Sequence, residues 1–194
     1  MKLIDPIKNY LAPLWIVETT TAPAAQAVST ALVKEWLRID TGDTSNDATI
    51  AILNGSAISK AQQYANRSFI TQTRRASFGL GDTILLPYTP IQSITSVESQ
   101  AYDGAWSTVL ASAYRNMGNG RIEFNEFGNY RVTYISGYGS TDASVPVEVK
   151  ESLMRYVNEH YEYRSGVIFS ADSNTGYSGL SWKAALSPIR IPTV

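Results

Sequence analysis

The sequence predicts an α+β chain in which two N-terminal helices, an antiparallel strand-rich middle and a third, long helix lie between two extended arms. Three observations carry that reading. Apolar residues recur at helical spacing over 29–66 and again over 146–165, the period shifts to two over 70–138, and proline or small residues dominate both ends.

Residues 1–28 set Tyr10, Leu14, Trp15 and Ile16 among Pro6, Pro13 and Pro23. Proline fixes its backbone and lacks a donor, so no long helix fits and an extended arm is expected. Its aromatic patch should dock on the same subunit's core or on a neighbour. Ser29 is placed to cap a helix over 29–39, with Leu32, Val33, Trp36 and Leu37 on its inner face. The turn-rich stretch from Asp40 to Asp47 reads as a loop whose end, Asn46 or Asp47, caps a second helix over 46–66. Its stripe is Ile50, Leu53, Ala57, Ala61 and Tyr64, and Asn66 suits the left-handed position that ends it. Gly55 inside that helix costs about 1 kcal/mol against alanine, which the close approach of another helix would explain.

From Ile70 the pattern alternates. Gly79-Leu-Gly-Asp, Asp103-Gly104, Gly118-Asn-Gly and Gly128-Asn129 read as turns. They separate strands at Ile84–Leu86, Ile91–Val97, Trp106–Leu110, Arg121–Phe124 and Tyr130–Ile135, a small antiparallel sheet or sandwich over 70–138. Val145-Pro146 opens the third helix, 146–165, because proline is favoured in a first turn and Glu148 and Glu151 oppose the helix dipole there. Residues 167–194 form a second arm, rich in serine and glycine until Trp182 and apolar afterwards. The expected organisation is thus an arm over 1–28, one domain over 29–166 and an arm over 167–194.

The chemistry-bearing residues argue against catalysis. With 16 basic and 17 acidic residues there is no net field to draw the chain onto nucleic acid or an anionic membrane. No cysteine is present, which removes thiolate nucleophiles and cysteine zinc sites. The longest apolar run, Leu11 to Val17, is far short of the ~20 residues of a membrane span, and a soluble protein is expected. The one histidine, His160, falls on the apolar face of the third helix and reads as a core residue, and no Gly-x-Ser-x-Gly elbow occurs. Glu159, His160 and Glu162 diverge around the helix, so no metal site is expected there. A calcium loop beginning at Asp40 would need glycine where Ser45 stands and glutamate where Ala51 stands. Gly137-Tyr-Gly139 lacks the third glycine of a dinucleotide fingerprint, Asp142 standing there, and reads as a tight strand exit. Arg67, Arg74, Arg75, Arg155 and Arg164 are expected in ion pairs within or between subunits. No cofactor follows from any of these patterns.

The order of short motifs adds a positive proposal. Trp36-Leu-Arg-Ile39 is followed by Tyr64-Ala-Asn-Arg67 and Ile70-Thr-Gln-Thr73, then by Leu85-Leu-Pro-Tyr-Thr-Pro-Ile-Gln-Ser-Ile-Thr-Ser-Val97. Ser136-Gly-Tyr-Gly139, Val145-Pro146 and His160-Tyr-Glu-Tyr-Arg164 complete the series. Over roughly residues 28–191 this series resembles the head-to-tail connector (adaptor) proteins of long-tailed bacteriophages. The resemblance implies a helical bundle carrying a β-rich insertion, assembled as a homo-oligomeric ring of twelve copies beneath the portal protein. One face of such a ring meets the portal and the other a stopper or tail-completion protein, while DNA passes through the lumen without specific binding. It implies no catalytic residue, a virion location at the capsid–tail junction, and synthesis in the cytoplasm of a bacterial host. Leu32 stands where the family often has a capping acid, and the N-terminal arm is longer than usual.

On that resemblance Trp182, Leu186, Pro188, Ile189, Arg190 and Ile191 are the portal-facing candidates, and Trp15, Arg67, Arg74, Arg75 and Arg164 the intersubunit candidates. Two rivals come from other classes. A β-rich ligand-binding module of a phage tail or baseplate would use Tyr88, Tyr102 and Trp106, and a hydrolase would have to use His160.

Overall fold

The computed structural model describes residues 11–162 and 182–191. Its contacts divide the chain into two compact units. The described part of the first comprises residues 11–24 and 71–137, and that of the second 25–70, 138–162 and 182–191.

The first unit is one strongly curled antiparallel sheet of six strands: β1 (Leu14–Thr21), β2 (Gln72–Leu85), β3 (Ile91–Gln100), β4 (Trp106–Thr108), β5 (Tyr114–Gly118) and β6 (Arg121–Ser136). The strand order is β1-β2-β6-β3-β4, and β5 pairs with the opening residues of β6. Alternation buries Ala76 and Phe78 on β2 against Val132 and Tyr134 on β6, with Ile84, Ile122 and Phe124 extending the same core. Burial leaves the Tyr134 hydroxyl satisfied, because it donates to the Pro87 carbonyl at 2.8 Å.

This sheet overturns the expected helical bundle with a β-rich insertion. Strand and helix take near-equal shares, 36% and 35%, and the sheet encloses a hydrophobic core of its own. The expectation failed on glycine. Gly79-Leu-Gly-Asp and Gly128-Asn129 are not chain reversals: β2 and β6 run through them and pair from Gln72 with Ser136 to Leu85 with Arg121, shifting register on either side of Gly81. Glycine within a strand marks a bulge or a close backbone approach, and here it does both. Ala12 N–H donates to the Thr83 carbonyl at 2.7 Å and Gly79 N–H to the Pro13 carbonyl at 2.8 Å. Part of the expected N-terminal arm is therefore the edge strand β1, paired along β2 from Leu14 with Phe78 to Thr21 with Thr73.

The second unit holds α1 (Thr30–Trp36), α2 (Asp47–Ala65), α3 (Val147–Glu162) and α4 (Trp182–Leu186). Ser29 Oγ accepts from Leu32 N–H at 3.2 Å, and Asn66 closes α2 at φ 52°, ψ 45°. Val33, Ile50, Ala57, Ala61, Ala65, Phe69, Val149, Leu153, Val157 and Leu186 form the core. Gly55 is exposed with open space where a side chain would be, so no neighbouring helix accounts for it. The loop after α1 is organised from within. Lys34 is almost fully buried, and its ammonium donates to the carbonyls of Thr41 (3.3 Å) and Asp43 (2.8 Å) and pairs with the Asp47 carboxylate. Asp40 and Asp43 accept from the backbone N–H of Gly42 and Ser45, and the Ser45 hydrogen bonds hold the Asp43 carboxyl below the usual carboxylate range.

Candidate interaction surfaces

Strand β1 presents consecutive exposed apolar side chains, Leu14, Trp15 and Ile16, the last two more than half exposed. The side of β1 turned from β2 pairs with no other described strand. Such an edge offers free backbone groups to another chain unless charge or proline guards it. The single charge in β1, Glu18, is directed back onto the sheet, where Arg75 Nη1 lies 3.6 Å from its carboxylate. Arg75 Nε also reaches Thr133 Oγ1 at 3.5 Å.

Arg74, its neighbour on β2, is buried. Its guanidinium lies 3.8 Å from the Tyr88 ring centroid and Nη1 donates to Thr19 Oγ1 at 3.4 Å. Burial pulls its pKa down, opposed by the Tyr134 and Tyr88 phenols. Trp106 is treated in the same way: Arg131 stacks at 4.4 Å and is fixed by two 2.8 Å hydrogen bonds to Glu98. Of the three aromatic turn residues, Tyr88 and Trp106 thus carry a guanidinium on the ring, while Tyr102 stands fully in solvent at the β3–β4 turn.

In the second unit the segment from Trp182 to Ile191 is docked on the helices. Trp182 meets Tyr64 and Tyr156 edge-on at 5.7 and 5.6 Å, and its carbonyl accepts from Ser152 Oγ at 2.7 Å. Leu186 is fully buried, and Ile191 N–H donates to the Ala65 carbonyl at 3.0 Å. Arg67 is brought to this segment, with Nε donating to the Ile189 carbonyl and the guanidinium 5.9 Å from the Tyr138 ring. Pro188 and Arg190 face outward, Arg190 lying 4.7 Å from the Tyr64 ring. Two further cations that sequence reasoning passed over join this cluster. Lys60 lies 5.3 Å from the Tyr156 ring and Lys183 5.8 Å from that of Tyr64. The spacing of Lys60, Tyr64 and Arg67 at i, i+4 and i+7 was the available signal. Arg164 lies outside the described residues.

His160 stacks on Tyr156 at 3.9 Å, with Nδ1 2.9 Å from that residue's carbonyl. An open groove of about 680 Å³ that does not include His160 is lined by Leu32, Trp36, Leu37, Arg38, Met154 and Glu162 among others. Apolar floor and charged rim suit a protein segment better than a reacting small molecule. Among the described residues, no three acidic or histidine side chains gather as a metal site would require. No described helix is long and apolar enough to cross a membrane.

No protein-family model matches the chain, and no curated protein does. Solved structures do share its fold. The chain is similar to one in the neck of an empty gene transfer agent (GTA) particle computed with C6 symmetry, at 20% identity and a TM-score of 0.72. It is similar as well to a chain of the virion of the native GTA particle, at 19% identity and 0.72. A chain of the neck of the native particle computed with C12 symmetry gives 19% and 0.64. Each match covers 93% of this chain and 97% of the other, so what is shared is the whole two-unit fold.

Proposed function

We propose that this chain is a non-catalytic subunit of a ring at the head-to-tail junction of a phage-like particle, joining portal to tail while DNA passes through the centre. The observation that carries the proposal is the near-complete, reciprocal coverage of neck chains by this fold. Those necks were computed with C6 and C12 symmetry, which supports a ring here, and twelve is the copy number we favour. A closed ring needs two different faces per subunit. The exposed Leu14-Trp15-Ile16 edge supplies one of them.

The portal contact is assigned to the segment from Trp182 to Ile191. Leu186 and Ile191 fasten it to the helices, and Pro188 and Arg190 are presented outward. The N-terminal strand, with Trp15, meets the neighbouring subunit. The stopper or tail-completion protein takes the opposite face of the ring.

The test is to mix the purified chain with the portal ring of its own particle and image the product. A ring of this chain seated on the portal is the expected result. Arg190→Glu with Pro188→Ala should abolish seating without unfolding the subunit. Retention of full portal binding by that variant would sink the assignment of the contact, and a chain that never seats on the portal would sink the connector reading itself.

A further inference from the structure

The outward side of the C-terminal dock carries a charge pattern that a portal contact does not require. From Ala48 to Arg67 and from Trp182 to Ile191 the chain has no Asp or Glu, yet four cations: Lys60, Arg67, Lys183 and Arg190. The fold gathers them. Lys60, Tyr64 and Arg67 share one face of α2, and Lys183 and Arg190 both lie on the Tyr64 ring, at 5.8 and 4.7 Å. Lys60 sits over Tyr156, which meets Trp182 edge-on. On α3, Glu151 is paired with Arg155, whereas Glu148, which acts on Tyr138 beside Arg67, and Glu159 make no ion pair among the described residues, so the excess of positive charge is local.

Two features select the anion. The exposed side chains between the cations are neutral hydrogen-bonding groups, Ser59, Gln63 and Ser187, and no large exposed apolar residue lies among them. Lysine and arginine with serine and glutamine is a composition that contacts phosphate oxygens. Arginine also anchors protein interfaces, so the two lysines distinguish a phosphate contact from a protein one. The rings here are already engaged by their own cations, so bases cannot stack on them as they do in single-strand binders.

We propose that this face is a sequence-independent contact for the phosphate backbone of duplex DNA. With at most four contacts per subunit and a chain of formal net charge −1, it holds DNA weakly and only locally. The proposal goes beyond the connector reading and does not depend on the portal contact. Arg190 serves both, so the test is built on the two exposed lysines.

Binding of the full chain to a labelled duplex of about 24 base pairs is measured by fluorescence anisotropy over a salt series. The expected result is a linear fall of log K with log salt, of slope about −2 to −4, independent of base sequence. Lys60→Gln with Lys183→Gln should weaken binding several-fold and flatten the slope by about two, while Lys60→Arg with Lys183→Arg keeps it and Arg38→Gln, off this face, leaves it unchanged. The proposal is overturned by an absence of salt-dependent binding, or by a glutamine double variant that binds as wild type. It is also overturned if poly-L-glutamate displaces the duplex at equal charge concentration, since the face then suits an acidic protein. Portal seating of the same variants separates the two readings: loss of DNA binding with seating intact leaves the connector standing, and the converse leaves this face standing.

Discussion

The indole of Trp15 lies so close over Gly79 that a Cβ on the glycine would stand 2.6 Å from Nε1. Two residues along, a Cβ on Gly81 would meet the backbone of Ala12 at 2.7 and 2.8 Å. At Gly79 the half-exposed indole can swing away and the edge of the Pro13 ring, at 2.9 Å, must give slightly, whereas at Gly81 the obstacle is a hydrogen-bonded main chain. Gly79→Ala should therefore cost about 1 kcal/mol and Gly81→Ala about 2–3 kcal/mol, read as urea-unfolding midpoints. Equal costs would mean that the N-terminal strand yields as one piece and is only loosely held.

Lys34 is the internal tie of the loop between α1 and α2. Lys34→Met removes the donor to two part-buried carbonyls and the partner of the Asp47 carboxylate, whose paired oxygen is buried. A loss of about 1–3 kcal/mol is expected in thermal unfolding. A melting temperature equal to wild type would show that the loop holds its shape by its aspartate turns alone.

Glu98 is held below the usual carboxylate range by its hydrogen bonds from Arg131, with desolvation opposing. A depressed folded-state pKa contributes stability that is complete above the unfolded value, about 4.3, and is lost as pH falls through the lower folded value. Glu98→Gln should accordingly lower stability near neutral pH by about 1 kcal/mol or less and converge with wild type in acid. Urea titrations at a series of pH values check this, and a gap that widens on acidification contradicts it.

Leu186 is the buried peg of the C-terminal segment, and Pro188 lies outside it. Leu186→Ala should cost about 2–5 kcal/mol, whereas Pro188→Ala should stay within about 0.5 kcal/mol. Were Leu186→Ala to leave the unfolding midpoint in place, the segment would not be docked on α2 and α3 in solution.

Local chemistry was legible at several residues that act on their own neighbours, although Asn46 stands at the start of α2 without a side-chain capping bond. Ser29 caps three residues ahead, Asn66 takes the left-handed position at the end of its own helix, and Asp40 and Asp43 bond backbone two residues on. The period of two marked the stretch from β2 to β6 and missed β1, which lies in the proline-bearing stretch expected to be an arm. The size of the sheet was not legible, because a glycine pair in a strand and a glycine pair in a turn look alike until the approaching chain, here Ala12 to Trp15, is known. The candidate surfaces divide in the same way. That Trp15 and the stretch from Trp182 to Ile191 are apolar is written in the residues. Which side chains of that stretch face inward, and that Lys183 and Arg190 join Lys60 and Arg67 around one aromatic cluster, depends on segments more than a hundred residues apart coming together. Short-range hydrogen bonding and periodicity are properties of the sequence itself, while the glycine bulges, the buried Lys34 and the cationic face exist only once the tertiary structure sets distant backbone and side chains a few ångströms apart.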